Sequence, residues 1–343
     1  MTVSTLPPSN KIKKFDFVQR RQSLTLTNMP AAILPAVLLL LLVLCSVSVS
    51  TATNVSLCST SEWNVTFHDG FDGDLLNPLS WTALNNYTHG RTEKELYLSK
   101  NTRVSNGTLI LTTKKEMAVS LSGVKYNFTS GWVESKKKKS QAYGMFEVRA
   151  KLPSPSAGQV NKWPVAWPAH WLMPDDDSIC WPTGGEIDIM EGYRPTTVKG
   201  GDSVLMTYHW AKKCGVDEWD KKFGTYPNIP SLSNRMTMSQ KSSSSSSSST
   251  TTSSSSFAPA VDWSNEFHTF SVEWKENVIE WYVDGISRYV RTKDQPKGLF
   301  IPTVPFYMIL NTAMTPWSNA TVDVGLPLEH VIDSVTWCER SKK

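Results

Sequence analysis

Beyond residue 52 no stretch of the sequence repeats apolar positions at i, i+3, i+4 and i+7 over several turns, which excludes helix-based architectures. Charge is scarce as well: only 19% of residues are Asp, Glu, Lys or Arg, and 35 basic against 31 acidic side chains leave a net charge of +4. A nucleic-acid binder carries a basic domain or a clustered basic stripe, so no nucleic-acid partner is expected. The 5 cysteines form no C-x-x-C pair and the 6 histidines no metal-binding pair, which excludes a zinc site. What is present is a chain of 343 residues, 40% hydrophobic, too apolar for general disorder and long enough to bury a core without staples. Tryptophan is in surplus, 14 against 12 Phe and 10 Tyr. Such flat amphipathic rings fill a core or line a groove for flat ligands.

The amino terminus reads as an address. Residues 11–21 are basic, residues 31–44 are apolar, and small residues follow through Ala52, with Ser50-Thr51-Ala52 as a cleavage site. Residues 1–52 are therefore a signal peptide, and the alternative is an uncleaved type II membrane anchor. Either reading puts residues 53–343 outside the cytosol, as a secreted or cell-wall domain touching a membrane only if the leader stays. Six sequons agree, at Asn54, Asn64, Asn86, Asn106, Asn127 and Asn319. With Cys45 lost in the leader, Cys58, Cys180, Cys214 and Cys338 remain, an even number suited to an oxidising compartment. Three pairings are open. The expected one ties the two ends through Cys58–Cys338 and two loops through Cys180–Cys214.

The exported part reads as many short strands in one all-β sandwich domain. Alternation marks residues 143–152 and 268–274, where Phe270, Val272 and Trp274 share a face, and Asp284-Gly285 between two apolar runs signals a tight hairpin. Residues 240–257 are a Ser/Thr-rich insertion that cannot bury apolar area, hence an expected disordered surface loop. The runs Lys136–Lys139 and Asp175–Asp177 read as solvated turns.

Chemistry concentrates in residues 181–193, WPTGGEIDIMEGY. Glu186 and Asp188 lie two apart and share one face of a strand, whereas Glu191 would face the other way. A single β-bulge near Ile189 or Met190 restores parity and puts all three carboxylates on one side. The two Glu main chains would then stand about 13 Å apart. Inward-leaning side chains on a concave sheet can close that to the ~5–5.5 Å used by retaining glycosidases. As a structural device three acids on one face are poor, because they repel one another and bury no apolar area.

The stretch EIDIME resembles the signature of glycoside hydrolase family 16, in the bulged form of its endo-β-1,3-glucanases (laminarinases). Other segments match in order: FHDGFDG at 67–73, ELYLSKN at 95–101, YGMFEVRAKLP at 143–153, WPAHWLMP at 167–174, TYHW at 207–210, FHTFSVEW at 267–274, WYVDG at 281–285 and YMILN at 307–311. The resemblance implies a jelly-roll β-sandwich of two antiparallel sheets with a concave sugar-binding cleft. It implies Glu186 as nucleophile, Glu191 as general acid and base, and Asp188 as their tuning neighbour. It further implies a retaining endo-glycosidase acting on β-1,3- or mixed β-1,3/1,4-glucan, with no cofactor for catalysis, and with the leader this makes a secreted enzyme, expected to be a monomer. Trp167 and Trp171 are candidate sugar platforms, and Arg149, His209 and Asn311 match positions near the cleft. Asp333 matches a position that holds a structural calcium in the family. The alternatives are a wall-remodelling transglycosylase using the same site and a non-catalytic β-glucan-binding module. Two segments depart from the pattern, the long loop at 154–165 and TAMTPW after YMILN.

Overall fold

A computed structural model describes residues 56–90, 92–153, 166–192, 204–215, 263–295, 297–314 and 326–342, all within the unit Asn54–Lys343. The leader, the Ser/Thr insertion, the 154–165 loop, Asn54 and Asn319 lie outside the described residues. Among the described residues the regular structure is sixteen strands and two short 3-10 turns. The strands are β1 (Trp63–Asp69), β2 (Thr82–Ala83), β3 (Glu95–Tyr97), β4 (Thr102–Ser105), β5 (Thr108–Val119), β6 (Lys125–Ser130), β7 (Trp132–Glu134) and β8 (Gly144–Lys151). They continue with β9 (Ala166–Pro174), β10 (Glu186–Glu191), β11 (Leu205–His209), β12 (His268–Lys275), β13 (Val278–Val283), β14 (Ile286–Thr292), β15 (Phe306–Met314) and β16 (Leu328–Arg340).

Two sheets result. The larger runs β14-β13-β12-β8-β16-β5-β6-β3, with β1 added on β16 and β4 on β5, and the smaller runs β11-β10-β9-β15-β7-β2. Pairing is antiparallel apart from β3 with β6. One apolar cluster lies between them. It takes Phe146, Val148, Phe270, Val272, Trp274, Trp281, Ile332 and Trp337 from the larger sheet and Leu172, Ile187, Ile189, Met190, Met206, Met308 and Leu310 from the smaller. The all-β, two-sheet sandwich expected from the alternating strands is the observed architecture.

Local chemistry explains several joints. Asp284 and Gly285 both adopt left-handed φ values, 51° and 73°, which a two-residue hairpin loop requires, and the strands they join pair from Val278↔Thr292 to Val283↔Ile286. Both expected disulfides are present: Cys58–Cys338 with Cα atoms 5.8 Å apart and Cys180–Cys214 at 5.6 Å. The basic and acidic runs read as separate solvated turns meet each other, Lys136 Nζ lying 2.5 Å and Lys137 Nζ 3.3 Å from Asp177. Such exposed pairs add little to stability. Asn64, Asn106 and Asn127 are exposed, whereas half-buried Asn86 accepts the Leu121 N–H on its side-chain oxygen at 3.0 Å.

Two histidines are buried between the sheets. His170 on β9 and His330 on β16 are fully buried and share a hydrogen bond of 2.9 Å across the two sheets, their rings stacked at 4.9 Å. Thr312 on β15 lies 3.2 Å from the other nitrogen of His330. Burial depresses both imidazoles, His170 well below the ordinary range and His330 to about 3.

Candidate active site

The smaller sheet positions the carboxylates. Against β9, residues Ile187 and Asp188 pair with Leu172 and Trp171, then the register jumps so that Met190 pairs with His170 and Glu191 with Ala169. Against β11 it breaks between Asp188 and Glu191. This is the bulge that parity demanded. Ile187, Ile189 and Met190 are fully buried in the core, while Glu186, Asp188 and Glu191 line a cleft on the opposite face. From the larger sheet Trp281 donates its indole N–H to the Asp188 carbonyl at 2.8 Å, satisfying that group where the ladder breaks. The strand enters through Gly185, whose φ of +85° and close approach to the Tyr208 ring suit only glycine.

Each carboxylate has its own surroundings. Glu186 accepts the Trp181 indole N–H at 2.5 Å. Glu191 accepts Trp167 Nε1–H on one oxygen at 3.0 Å and the Thr207 hydroxyl on the other at 3.1 Å. Asp188 lies 3.2 Å from His209 Nε2. Burial raises Glu191, the Glu186 charge adds to this, and His209, Thr207 and Trp167 oppose it. Burial likewise raises Asp188 well above the usual carboxylate range, reinforced by Glu186 and Glu191 and opposed by His209. For His209 burial works against the imidazolium, but Glu186, the Asp188 hydrogen bond and Glu191 outweigh it and push the group up to about 10. A buried set of acids around one imidazolium is suited to holding and moving protons.

Among the described residues, Glu186, Asp188 and His209 form the group of acids and histidines close enough to share an ion, with ligand atoms within 4.8 Å of one another. An imidazole that ligates a metal must give up its proton, and the three carboxylates around His209 favour its protonated form.

Of the candidate platforms, Trp167 and Trp171 both line the cleft, as do His209 and Asn311. Trp171 is a platform edge more than an open face, being 7% exposed and tied through its indole N–H to Asn311 Oδ1 at 2.8 Å. Arg149 is not brought to this cleft. It sits on β8 of the larger sheet and pairs with Asp333 at 2.7 Å, its guanidinium 4.7 Å from the Phe267 ring centroid. Asp333 is thereby paired with a cation of the chain itself, and among the described residues it belongs to no group of three acids or histidines of the kind that would begin a multi-oxygen cage for calcium.

The structure adds residues that the motif did not single out. Trp181 and Thr207 contact Glu186 and Glu191 directly, and His89 and Glu93 line the same cleft. Thr207 was within reach of the alternation argument, since it lies two residues before His209 on β11 and shares its face. His89 and Glu93 arrive from a non-strand connection whose position no periodicity reports.

Known proteins resemble this chain over most of its length. The family model described as Glycosyl hydrolases family 16 matches residues 232–325, a span that contains β12–β15 and not the carboxylate strand. The Glucan endo-1,3-beta-glucosidase A1 of Niallia circulans is 27% identical over 78% of this chain, and the Beta-glucanase of Rhodothermus marinus 28% over 74%. The alignment covers 36% of the first relative's length and 76% of the second's. Among solved structures, the catalytic domain of an endo-1,3-beta-glucanase (laminarinase) from Thermotoga petrophila RKU-1 superposes with a TM-score of 0.60 at 26% identity. That match covers 82% of this chain and all of the other.

Proposed function

Taking the chain as a laminarinase-like member of glycoside hydrolase family 16, we propose that it is a retaining endo-glycosidase of β-1,3- or mixed β-1,3/1,4-glucan. The observation that carries this reading is the bulged β10, which turns Glu186, Asp188 and Glu191 into one cleft between indole platforms. In the first step Glu191 gives its proton to the glycosidic oxygen while the Glu186 carboxylate attacks the anomeric carbon. The C–O bond to the leaving sugar breaks, and a glycosyl ester on Glu186 forms. In the second step Glu191, now ionised, takes a proton from water, whose oxygen attacks the same carbon and releases Glu186. Two inversions give net retention.

The surroundings suit these parts. The buried Glu191 is held toward its protonated form, as an acid working near neutral pH requires. Asp188 and His209 sit beside both Glu residues and adjust their charge as protons move. The indoles of Trp167 and Trp181 anchor one Glu each and also offer faces for the apolar side of a sugar ring. The two disulfides support placement in an oxidising compartment outside the cytosol.

The test is a panel of laminarin, mixed-linkage glucan, xyloglucan and agarose, with reducing ends counted after incubation with purified protein. Release from the first two supports the reading. Chain-length redistribution without net release points to a transglycosylase, and binding of laminarin without any turnover points to a binding module.

A further inference from the structure

Moving across the smaller sheet from β10, Asp188 pairs with Trp171 on β9, Ala169 with Asn311 on β15, and Asn311 with Trp132 on β7. A hydrogen-bonded relay follows the same direction. Trp171 donates to Asn311 Oδ1 at 2.8 Å, Asn311 Nδ2 donates to the Tyr97 hydroxyl at 3.0 Å, and that hydroxyl donates to Glu93 Oε2 at 3.0 Å. Tyr97 is fully buried, so its hydroxyl is held within the relay. Glu93 lines the same cleft as the catalytic carboxylates, and so does His89. His89 is wedged by Trp132 and Trp171, ring centroids 5.2 and 5.5 Å away, and its Nδ1 lies 3.2 Å from the Tyr87 hydroxyl. Two polar side chains are thus fixed in orientation in the cleft, bonded to Tyr87 and Tyr97, with His89 within electrostatic reach of Glu186.

We propose that Glu93 and His89 form a second polar subsite of the cleft, in which the Glu93 carboxyl, aimed by Tyr97, hydrogen-bonds a hydroxyl of the glucosyl unit next to the one being cleaved. The placement follows from the sheet: Asn311 is two strands from β10, about 10 Å, beyond the ring that Glu186 attacks. Chemistry agrees. Burial and the neighbouring Glu95 push Glu93 up to about 10, so it enters the cleft as a neutral carboxyl that a sugar can cover without desolvating a charge. A neutral group there also adds no repulsion to the carboxylates that must do chemistry. The sugar's identity rests on the glucanase reading above, whereas the subsite itself rests on the relay.

Glu93→Leu, Glu93→Gln and Tyr97→Phe test it, with laminari-oligosaccharides of increasing length as probes. Turnover is measured on each variant, and calorimetric binding on the same variants combined with Glu186→Gln. Leu at 93 is expected to raise KM and weaken binding about tenfold with kcat within about twofold, the signature of lost ground-state contact. Gln, which keeps shape and hydrogen-bonding capacity, retains affinity within about threefold, and Tyr97→Phe falls between. A folded Glu93→Leu protein that binds every oligosaccharide as its parent does overturns the subsite, as does a Gln variant as weak as Leu. If the parent binds but never cleaves, and Leu still weakens binding, the subsite stands and the hydrolase reading falls. A parent that neither binds nor cleaves overturns both.

Discussion

At the scale of single residues, the account assigns different work to chemically similar groups by what surrounds them. Glu186→Gln and Glu191→Gln are each expected to lower kcat at least a thousandfold while thermal unfolding stays close to that of the parent, because each removes a reacting group from a cleft wall and not from the core. Activity near parental levels in either variant contradicts the assignment. Thr207 donates to Glu191 and so favours the ionised form. Thr207→Val therefore raises the pKa of the acid further, and the alkaline limb of kcat/KM, where Glu191 loses its proton, moves to higher pH. A limb that stays or moves down counts against Glu191 as the acid. The three carboxylates could be picked out from residue type and spacing, since carboxylates two apart with a third out of parity require a bulge to cooperate, whereas His209 entered only through its match to a family position near the cleft. Glu93 could not, because the role proposed for it depends on a relay through nearby Tyr97 to Asn311, which a strand more than two hundred residues further on brings to it.

At the scale of elements, the bulge in β10 is the feature on which the cleft depends. It costs ladder pairing at Ile189, and Trp281 of β13 compensates by bonding the Asp188 carbonyl. Trp281→Phe keeps most of the apolar volume but leaves that carbonyl without its donor. The expected loss is about 1–3 kcal/mol of stability together with a fall in kcat, as the carboxylates lose their register. Denaturant unfolding and turnover of the same preparation check it, and a neutral substitution on both counts shows that the bulge needs no cross-sheet support. The strand alternation, the Asp284-Gly285 hairpin and the bulge itself were readable because a period of two makes every parity error visible. The Arg149–Asp333 pair was not. Alternation says which face a residue takes within its own sheet but not which of two sheets the strand joins, and Arg149 joins the one away from the cleft.

For the whole molecule, the two sheets are held by apolar packing that includes the buried His170–His330 pair. Both histidines bind protons far less readily when folded than when unfolded. Below pH ~6.5 the unfolded chain takes up protons that the folded chain refuses, so the pair makes the protein less stable as pH falls toward the depressed folded values, by up to about 2.7 kcal/mol per pH unit for two groups. Buried acids raised in the fold, such as Glu191, act in the opposite sense above their unfolded values, so the comparison must be differential. A His170→Phe, His330→Leu protein is expected to lose stability less steeply between pH 6.5 and 4 than the parent. Equal slopes would mean that the pair is already charged in the native state. The same global view divides the tryptophans: Trp81, Trp274, Trp281 and Trp337 are fully buried between the sheets, buried Trp132 packs against Tyr97 and Trp171, and Trp167, Trp171 and Trp181 line the cleft. Composition alone could not divide them.

The most direct test of the account is the anomeric configuration of the first product. With laminarin and purified protein, a proton NMR time course begun within seconds of mixing should show the β-anomer first, with the α-anomer appearing only as mutarotation proceeds. An α-anomer formed first would mean a single displacement by water and would contradict a glycosyl ester at Glu186.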